Sequence, residues 1–134
     1  MNSLFEYYNN KVIPFSLGGR RRNKVMPLLH NVQDKKVLDI GCAGGYVGVA
    51  LKKQGNYVVG IDITKKDVVK ARKVLDKAYV FDIESDNVAK LGKNYDLIIM
   101  VEVPEHLFDP ETAIARFLPL LKPGGEILFS TPNL

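Results

Sequence analysis

The chain carries one cysteine, Cys42, so no disulfide forms within it, and that usage fits a reducing, cytoplasmic setting. No apolar stretch approaches the roughly 18 residues that cross a bilayer. The longest, Leu97 to Val103, is broken by Glu102, which excludes a transmembrane helix and leaves no membrane partner to expect. The N-terminus, Met-Asn-Ser-Leu-Phe-Glu, has an acid where a secretory signal carries basic residues, and no small-residue cleavage site follows an apolar stretch. Internal repeats and low-complexity tracts are absent too. What is present is 134 residues, 46% hydrophobic and 25% charged, the makeup of one globular domain that buries its own core.

Acidic charge is scarce in the N-terminal quarter. Residues 1–33 hold five basic residues (Lys11, Arg20, Arg21, Arg22, Lys24) against one acid, Glu6, whereas residues 34–134 hold 14 against 14. The whole net charge of +4 therefore sits in the first segment. A cluster such as Arg20 to Lys24 serves either as a phosphate or RNA contact or as the solvated start of a helix. We divide the chain into a basic, helical N-terminal segment, 1–33, and a core, 34–134.

From residue 36 onward, β-branched runs alternate with amphipathic stretches, the pattern of an α/β domain. Strands are expected at Lys36–Ile40, Tyr57–Asp62, Ala78–Phe81, Tyr95–Val101 and Glu126–Ser130. Their nearly continuous apolar character suits a parallel sheet covered on both faces. Helices are expected after Gly45, ended by Gly55; from a Thr64 and Asp67 capping box through Val68, Ala71 and Leu75; and from Asp109-Pro110 through Ile114, Phe117, Leu118 and Leu121. Pro119 predicts a kink or early end in the last. Ahead of the core, Val25, Leu28, Leu29 and Val32 recur at helical spacing, so residues 21–32 read as a helix, and Leu4 to Val12 as another.

In an open parallel sheet, ligands bind beyond the carboxyl ends of the strands. The first expected strand ends in Val37-Leu38-Asp39-Ile40-Gly41-Cys42-Ala43-Gly44-Gly45, where small residues let a ligand approach the main chain. Asp62 ends the second strand, 21 residues past Gly41, where a carboxylate can accept both hydroxyls of a ribose. Asp82 ends the third and reads either as a contact to a purine edge or as a helix cap. A dinucleotide fingerprint is missing, because Ala43 and Tyr46 occupy its second and third glycine positions, and no Gly-Lys-Ser/Thr marks a phosphate loop. A nucleoside without phosphates fits better.

These segments, together with Val59-Gly60-Ile61-Asp62-Ile63, Tyr95-Asp96-Leu97-Ile98-Ile99-Met100 and Leu120-Leu121-Lys122-Pro123-Gly124-Gly125-Glu126, resemble the class I S-adenosylmethionine-dependent methyltransferases, in particular their ubiquinone-pathway and type 11/12 members. The resemblance runs from about residue 35 to the end. It implies a Rossmann-like three-layer sandwich with a mainly parallel sheet of order 3-2-1-4-5, S-adenosyl-L-methionine as cofactor, and methyl transfer to an O or N of a small molecule. It further implies that Asp39, Gly41, Cys42, Ala43 and Gly45 surround the methionine part, and that Val101 also contacts the cofactor. Asp62 would hold the ribose, Ile63 and Ile83 would sandwich the adenine, and Asp82 would receive its amine. The family usually has glycine where this chain has Ala43.

Methyl transfer needs an aligned acceptor more than acid or base groups, because the sulfonium is already a good leaving group. Beside the expected sulfonium lie Glu102, Glu105 and His106, which would share one face of a helical turn begun at Pro104. They are the candidate catalytic residues. Similar segments bind a divalent ion in some relatives, yet a helix start bearing acids looks the same, and no metal is expected here. Two alternatives to the enzyme reading are a cofactor-binding module without catalysis and an RNA methyltransferase using the basic N-terminal segment.

Family members continue past the fifth strand into two more strands that this sequence lacks. The fifth strand would then expose an apolar edge, which soluble proteins seldom leave bare. A partner chain, the N-terminal segment or an excised context would account for it; the expectation adopted is a homo-oligomer through that edge.

Overall fold

Residues of alternate parity in the apolar runs face opposite ways, and in the computed structural model this divides the interior into two layers around one sheet. The structure describes residues 12–15, 25–101 and 107–130. Six strands pair, all in parallel: β1 (Val12–Phe15), β2 (Lys36–Ile40), β3 (Tyr57–Asp62), β4 (Lys77–Val80), β5 (Tyr95–Met100) and β6 (Leu121–Ser130), in the order β1-β6-β5-β2-β3-β4. The five strands from β2 onward take the expected order 3-2-1-4-5.

Leu38 and Ile40 of β2, Val59 and Ile61 of β3, and Ile127 and Phe129 of β6 build one face. Helix α3 (Pro110–Phe117) and the tight turn Leu118–Leu120 cover it through Ile114, Phe117, Leu118 and Leu120. Val37, Val58 and Leu128 build the other, under helices α1 (Tyr46–Lys53) and α2 (Lys65–Ala71), which bury Leu51, Val68 and Ala71. On that second face buried Asn56 ties the chain ahead of β2 to α1, donating to the carbonyls of Val32 and Leu51 and accepting from the Lys35 N–H.

The last strand starts five residues earlier than the sequence predicts. Tyr95 pairs with Leu121 but Leu97 pairs with Glu126, so the Lys122-Pro123-Gly124-Gly125 stretch bulges inside β6 instead of preceding it. The third expected strand is shifted by one residue, to Lys77–Val80, and β5 stops at Met100. As Pro119 predicts, the α-helix ends at Phe117 and tightens into the Leu118–Leu120 turn. Thr64 precedes α2 but makes no side-chain cap, and that helix ends at Ala71, with Leu75 packing from the turn beyond it.

The N-terminal segment departs most from expectation. Val12 opens strand β1 and does not close a helix; residues 1–11 lie outside the described set. Of the helix expected over 21–32, the described part is one short turn, Met26–Leu29, with Pro27 in its first turn. β1 pairs with β6 from Val12 opposite Ile127 to Phe15 opposite Ser130. The edge expected to lie open is thereby covered within the same chain, which removes the ground for self-association through it. Among the described residues no helix is long and apolar enough to cross a membrane.

Asp96 fastens the lower ends of three strands. It accepts the Lys36 N–H at 2.8 Å and ion-pairs with Lys122 in the bulge of β6. Burial raises its carboxyl, but the Lys122 and Lys36 hydrogen bonds outweigh that and hold it below the usual range. A folded-state pKa below the unfolded one gives stability present above the ordinary carboxylate range, about 4, and lost as pH falls through the depressed value. Asp96→Asn should therefore melt lower than the parent at pH 7 and show a flatter loss of melting temperature between about pH 5 and 2. Calorimetry across that range checks both, and superimposable curves would remove Asp96 from this role.

Candidate functional site

β2 lies where the strand order reverses, with β3 on one side and β5 on the other. The crevice outside the carboxyl ends of these strands is the ligand position of open α/β sheets. The chain leaving β2 is stapled to β3 at once, since the N–H groups of Gly41 and Cys42 both donate to the Ile61 carbonyl, at 2.8 and 2.9 Å. Gly41 (φ +76°) and Gly45 (φ +93°) are left-handed, and so is Ala43 (φ +48°). The turn thus demands at Ala43 the conformation that glycine adopts most readily.

The side chain of Asp62 secures that turn. Its Oδ2 accepts the Ala43 N–H and its Oδ1 the Thr64 N–H, each at 2.9 Å. A carboxylate offers about four acceptor positions, so each oxygen retains one. Gly45 N–H closes the turn on the Cys42 carbonyl, while the Gly44 N–H has no partner among the described residues and stands just ahead of the first turn of α1. A bare donor before a helix N-terminus favours an anionic group.

Asp39, Gly41, Cys42, Ala43 and Val101 line one cavity of about 140 Å³ with Tyr46 and Val47. Larger cavities, of about 340 and 300 Å³, lie toward the opposite end of the sheet, so strand polarity and not size selects this crevice. Cys42 is buried, and burial first, then the charges of Asp39 and Asp62, push its thiol pKa up. It stays a neutral thiol and fills space.

Ile63 follows Asp62 and is 64% exposed, an apolar side chain held out at the crevice. Asp82 and half-buried Ile83 follow β4. The cap alternative for Asp82 is visible: Oδ1 accepts the Glu84 N–H at 2.9 Å. That hydrogen bond, with one from Ser85, holds its carboxyl below the usual range. The Phe81 N–H donates to the Asp62 carbonyl, so the loop after β4 hangs from the residue that anchors the glycine turn. Glu102, Glu105, His106 and the Arg20 to Lys24 cluster lie outside the described residues.

Three contributors escape sequence reading. Gly60 lies under the turn, and a Cβ there would stand 2.8 Å from Cys42 Sγ and 2.7 Å from Leu75 Cδ1; a glycine inside a strand is the one available signal. Tyr46 sets its ring beside Gly44. Arg116, on α3, donates to the carbonyls of Ile83 and Asp86, clamping the loop that carries Asp82, and nothing local in the sequence announces it.

Comparison with known proteins gives concordant findings. A family model for a methyltransferase domain matches residues 17–134. Over 104 residues the chain is 35% identical to a ubiquinone biosynthesis O-methyltransferase from Salmonella arizonae, covering 74% of this chain and 43% of that protein. The chain thus spans less than half the length of the curated relatives it matches. An N-methyltransferase, NodS from Bradyrhizobium japonicum, solved in complex with S-adenosyl-L-homocysteine, is 26% identical with a TM-score of 0.68, over 81% of this chain and 59% of that one. A TehB-like methyltransferase from Corynebacterium glutamicum, 23% identical with a TM-score of 0.68 over 84% and 62%, matches in fold.

Two outcomes follow from the geometry. Gly60→Ala should cost about 1–3 kcal/mol of stability, as overpacking does, and shift the amide resonances of Gly41 to Gly45; a stability equal to the parent's would show that Cys42 and Leu75 yield freely. Arg116→Ala should speed hydrogen exchange at the amides of Asp82 and Glu84 at least tenfold while the protection of β2 and β3 holds. Unchanged exchange would mean that the loop stands without its clamp.

Proposed function

The chain belongs to the class I S-adenosylmethionine-dependent methyltransferase family, and from that premise we propose that it binds S-adenosyl-L-methionine and methylates an oxygen or nitrogen of a small molecule. One observation carries the reading: a glycine turn at the switch point whose central N–H is held by the carboxylate ending the next strand. The residues present fit this cofactor. Asp62 has two acceptor positions left for a vicinal pair of ribose hydroxyls, and Gly44 with the start of α1 offers donors to a carboxylate.

When bound, the cofactor supplies a sulfonium methyl that leaves without acid assistance. The protein's part is to hold and orient. Asp39, Gly41, Cys42, Ala43 and Val101 would enclose the methionine portion, with Gly45 turning the chain into α1. Ile63 and Ile83 would flank the adenine while Asp82 takes its amine. Burial of Cys42 and Val101 keeps water from the crevice floor, which favours in-line transfer over hydrolysis. Removing the proton of the acceptor hydroxyl or amine falls to Glu102, Glu105 or His106. Relatives named as O- and N-methyltransferases support both acceptor atoms.

A second reading is a cofactor-binding module without turnover. The two separate on one assay: production of S-adenosylhomocysteine with a panel of phenolic and amine acceptors supports the enzyme, whereas cofactor binding with no product from any of them supports the module.

Asp62→Ala should weaken S-adenosylmethionine binding by about 1–3 kcal/mol, the cost of leaving hydroxyls unpaired, or about 5- to 150-fold in Kd. Isothermal titration measures it, and an unchanged Kd would reject this cradle.

A further inference from the structure

The opposite end of the sheet carries a cleft that methyl transfer does not use. Lys36, Tyr57, Lys77 and Tyr95 are the first residues of β2, β3, β4 and β5. Because these strands are parallel, their starts gather at one end, about 17–20 Å from the glycine turn for strands of five or six residues. There, with Tyr79 and Lys90, they line a cavity of about 300 Å³, within the size range of small-molecule sites.

Its chemistry is segregated. No carboxylate lines it, although acids and bases balance over residues 34–134. Lys36, Lys77 and Lys90 form no ion pair among the described residues, while Lys52 and Lys122 each meet an aspartate. Lys36 is already placed: its ammonium donates to the Lys93 carbonyl at 2.8 Å and lies 4.5 Å from the centre of the Tyr95 ring. Two of its three N–H donors remain. Opposite it in register stands Tyr57, 41% exposed, an aromatic surface beside unpaired cations.

We propose that this cleft binds a nucleotide, with its base on Tyr57 and its phosphate among Lys36, Lys77 and Lys90. An apolar ligand would leave three ammonium groups without a counter-charge. A bare carboxylate would leave the tyrosine face unused. A phosphate accepts from several separate ammonium donors, and every base has a face to stack. The ligand comes either as a free nucleotide or as one unit of a single strand, which share this chemistry.

The test uses the full chain saturated with S-adenosylhomocysteine, so that the cofactor crevice is filled, titrated with uridine monophosphate, inorganic phosphate and a short oligouridylate. Uridine monophosphate should bind, with Kd raised at least tenfold in Lys77→Ala/Lys90→Ala and several-fold in Tyr57→Ala but unchanged in Tyr57→Phe. Melting temperatures and S-adenosylhomocysteine affinity of the variants should match the parent. Oligouridylate binding tenfold tighter than the mononucleotide would identify a single strand as the source, and equal affinity a free nucleotide. The proposal is overturned by no binding up to millimolar nucleotide, by displacement of the bound S-adenosylhomocysteine by the nucleotide, by indifference to the lysine pair, or by inorganic phosphate binding as tightly as the nucleotide.

Discussion

Two backbone donors from different loops converge on one carboxylate, and the upper end of the sheet is organised around it. Asp62 takes the Ala43 N–H on one oxygen and the Thr64 N–H on the other, while its carbonyl takes the Phe81 N–H. Three loops are thereby fixed relative to each other by a single residue at the end of β3. A neutral side chain of similar size offers one acceptor oxygen and turns donors toward the second N–H, so the charge type matters as much as the shape. The same carboxylate keeps acceptor positions for a ligand, which lets structure and binding share one group.

The left-handed Ala43 belongs to the same constraint. An L-residue with a Cβ there costs roughly 1–2 kcal/mol relative to right-handed backbone, and the conformation persists because neighbours fix it from both sides. Gly41 and Cys42 are tied to the Ile61 carbonyl, Ala43 to Asp62, and Gly45 back to Cys42. Beneath them, Gly60 leaves the space that Cys42 and Leu75 fill. The glycine turn and the turn beyond α2 meet at the one glycine of β3, so the turn's shape is set by the layer below it and not only by its own residues.

Legibility in the sequence followed burial. β2 and β3 are covered on both faces, so their apolar runs mark their limits, and the acids at or next to their ends, Asp39 and Asp62, stand out because a charge breaks the run. β1 was hidden for the opposite reason: four residues including Pro14 at a sheet edge, where proline is tolerated because one side of the strand needs no ladder bond. Its pairing with β6 spans over a hundred residues of sequence, and no local pattern encodes that. The bulge in β6 is not legible locally, because Pro-Gly-Gly has the same composition whether the chain turns before a strand or swells within one. Arg116 reaches Ile83 and Asp86 from another element, a contact that exists only after α3 has docked through Phe117 on Phe81.

A parallel sheet has two chemically different ends, and this chain separates its side-chain chemistry accordingly. At the carboxyl ends, strand termini deliver aspartates and a turn of exposed backbone donors. At the amino ends, the first residues of β2 to β5 are lysines and tyrosines, while Asp96 beside them accepts the Lys36 main-chain N–H and pairs its charge with Lys122. The strands between are buried and nearly all apolar, so either end can vary in sequence without disturbing the core that positions the other. Covering the outer edge with β1 completes this arrangement: Ile127 to Phe129 of β6 are paired on both sides by the chain itself, and this part of β6 is not an open template for another strand. What such a fold offers to ligands is therefore concentrated at its two ends, where strand polarity decides which chemistry each presents.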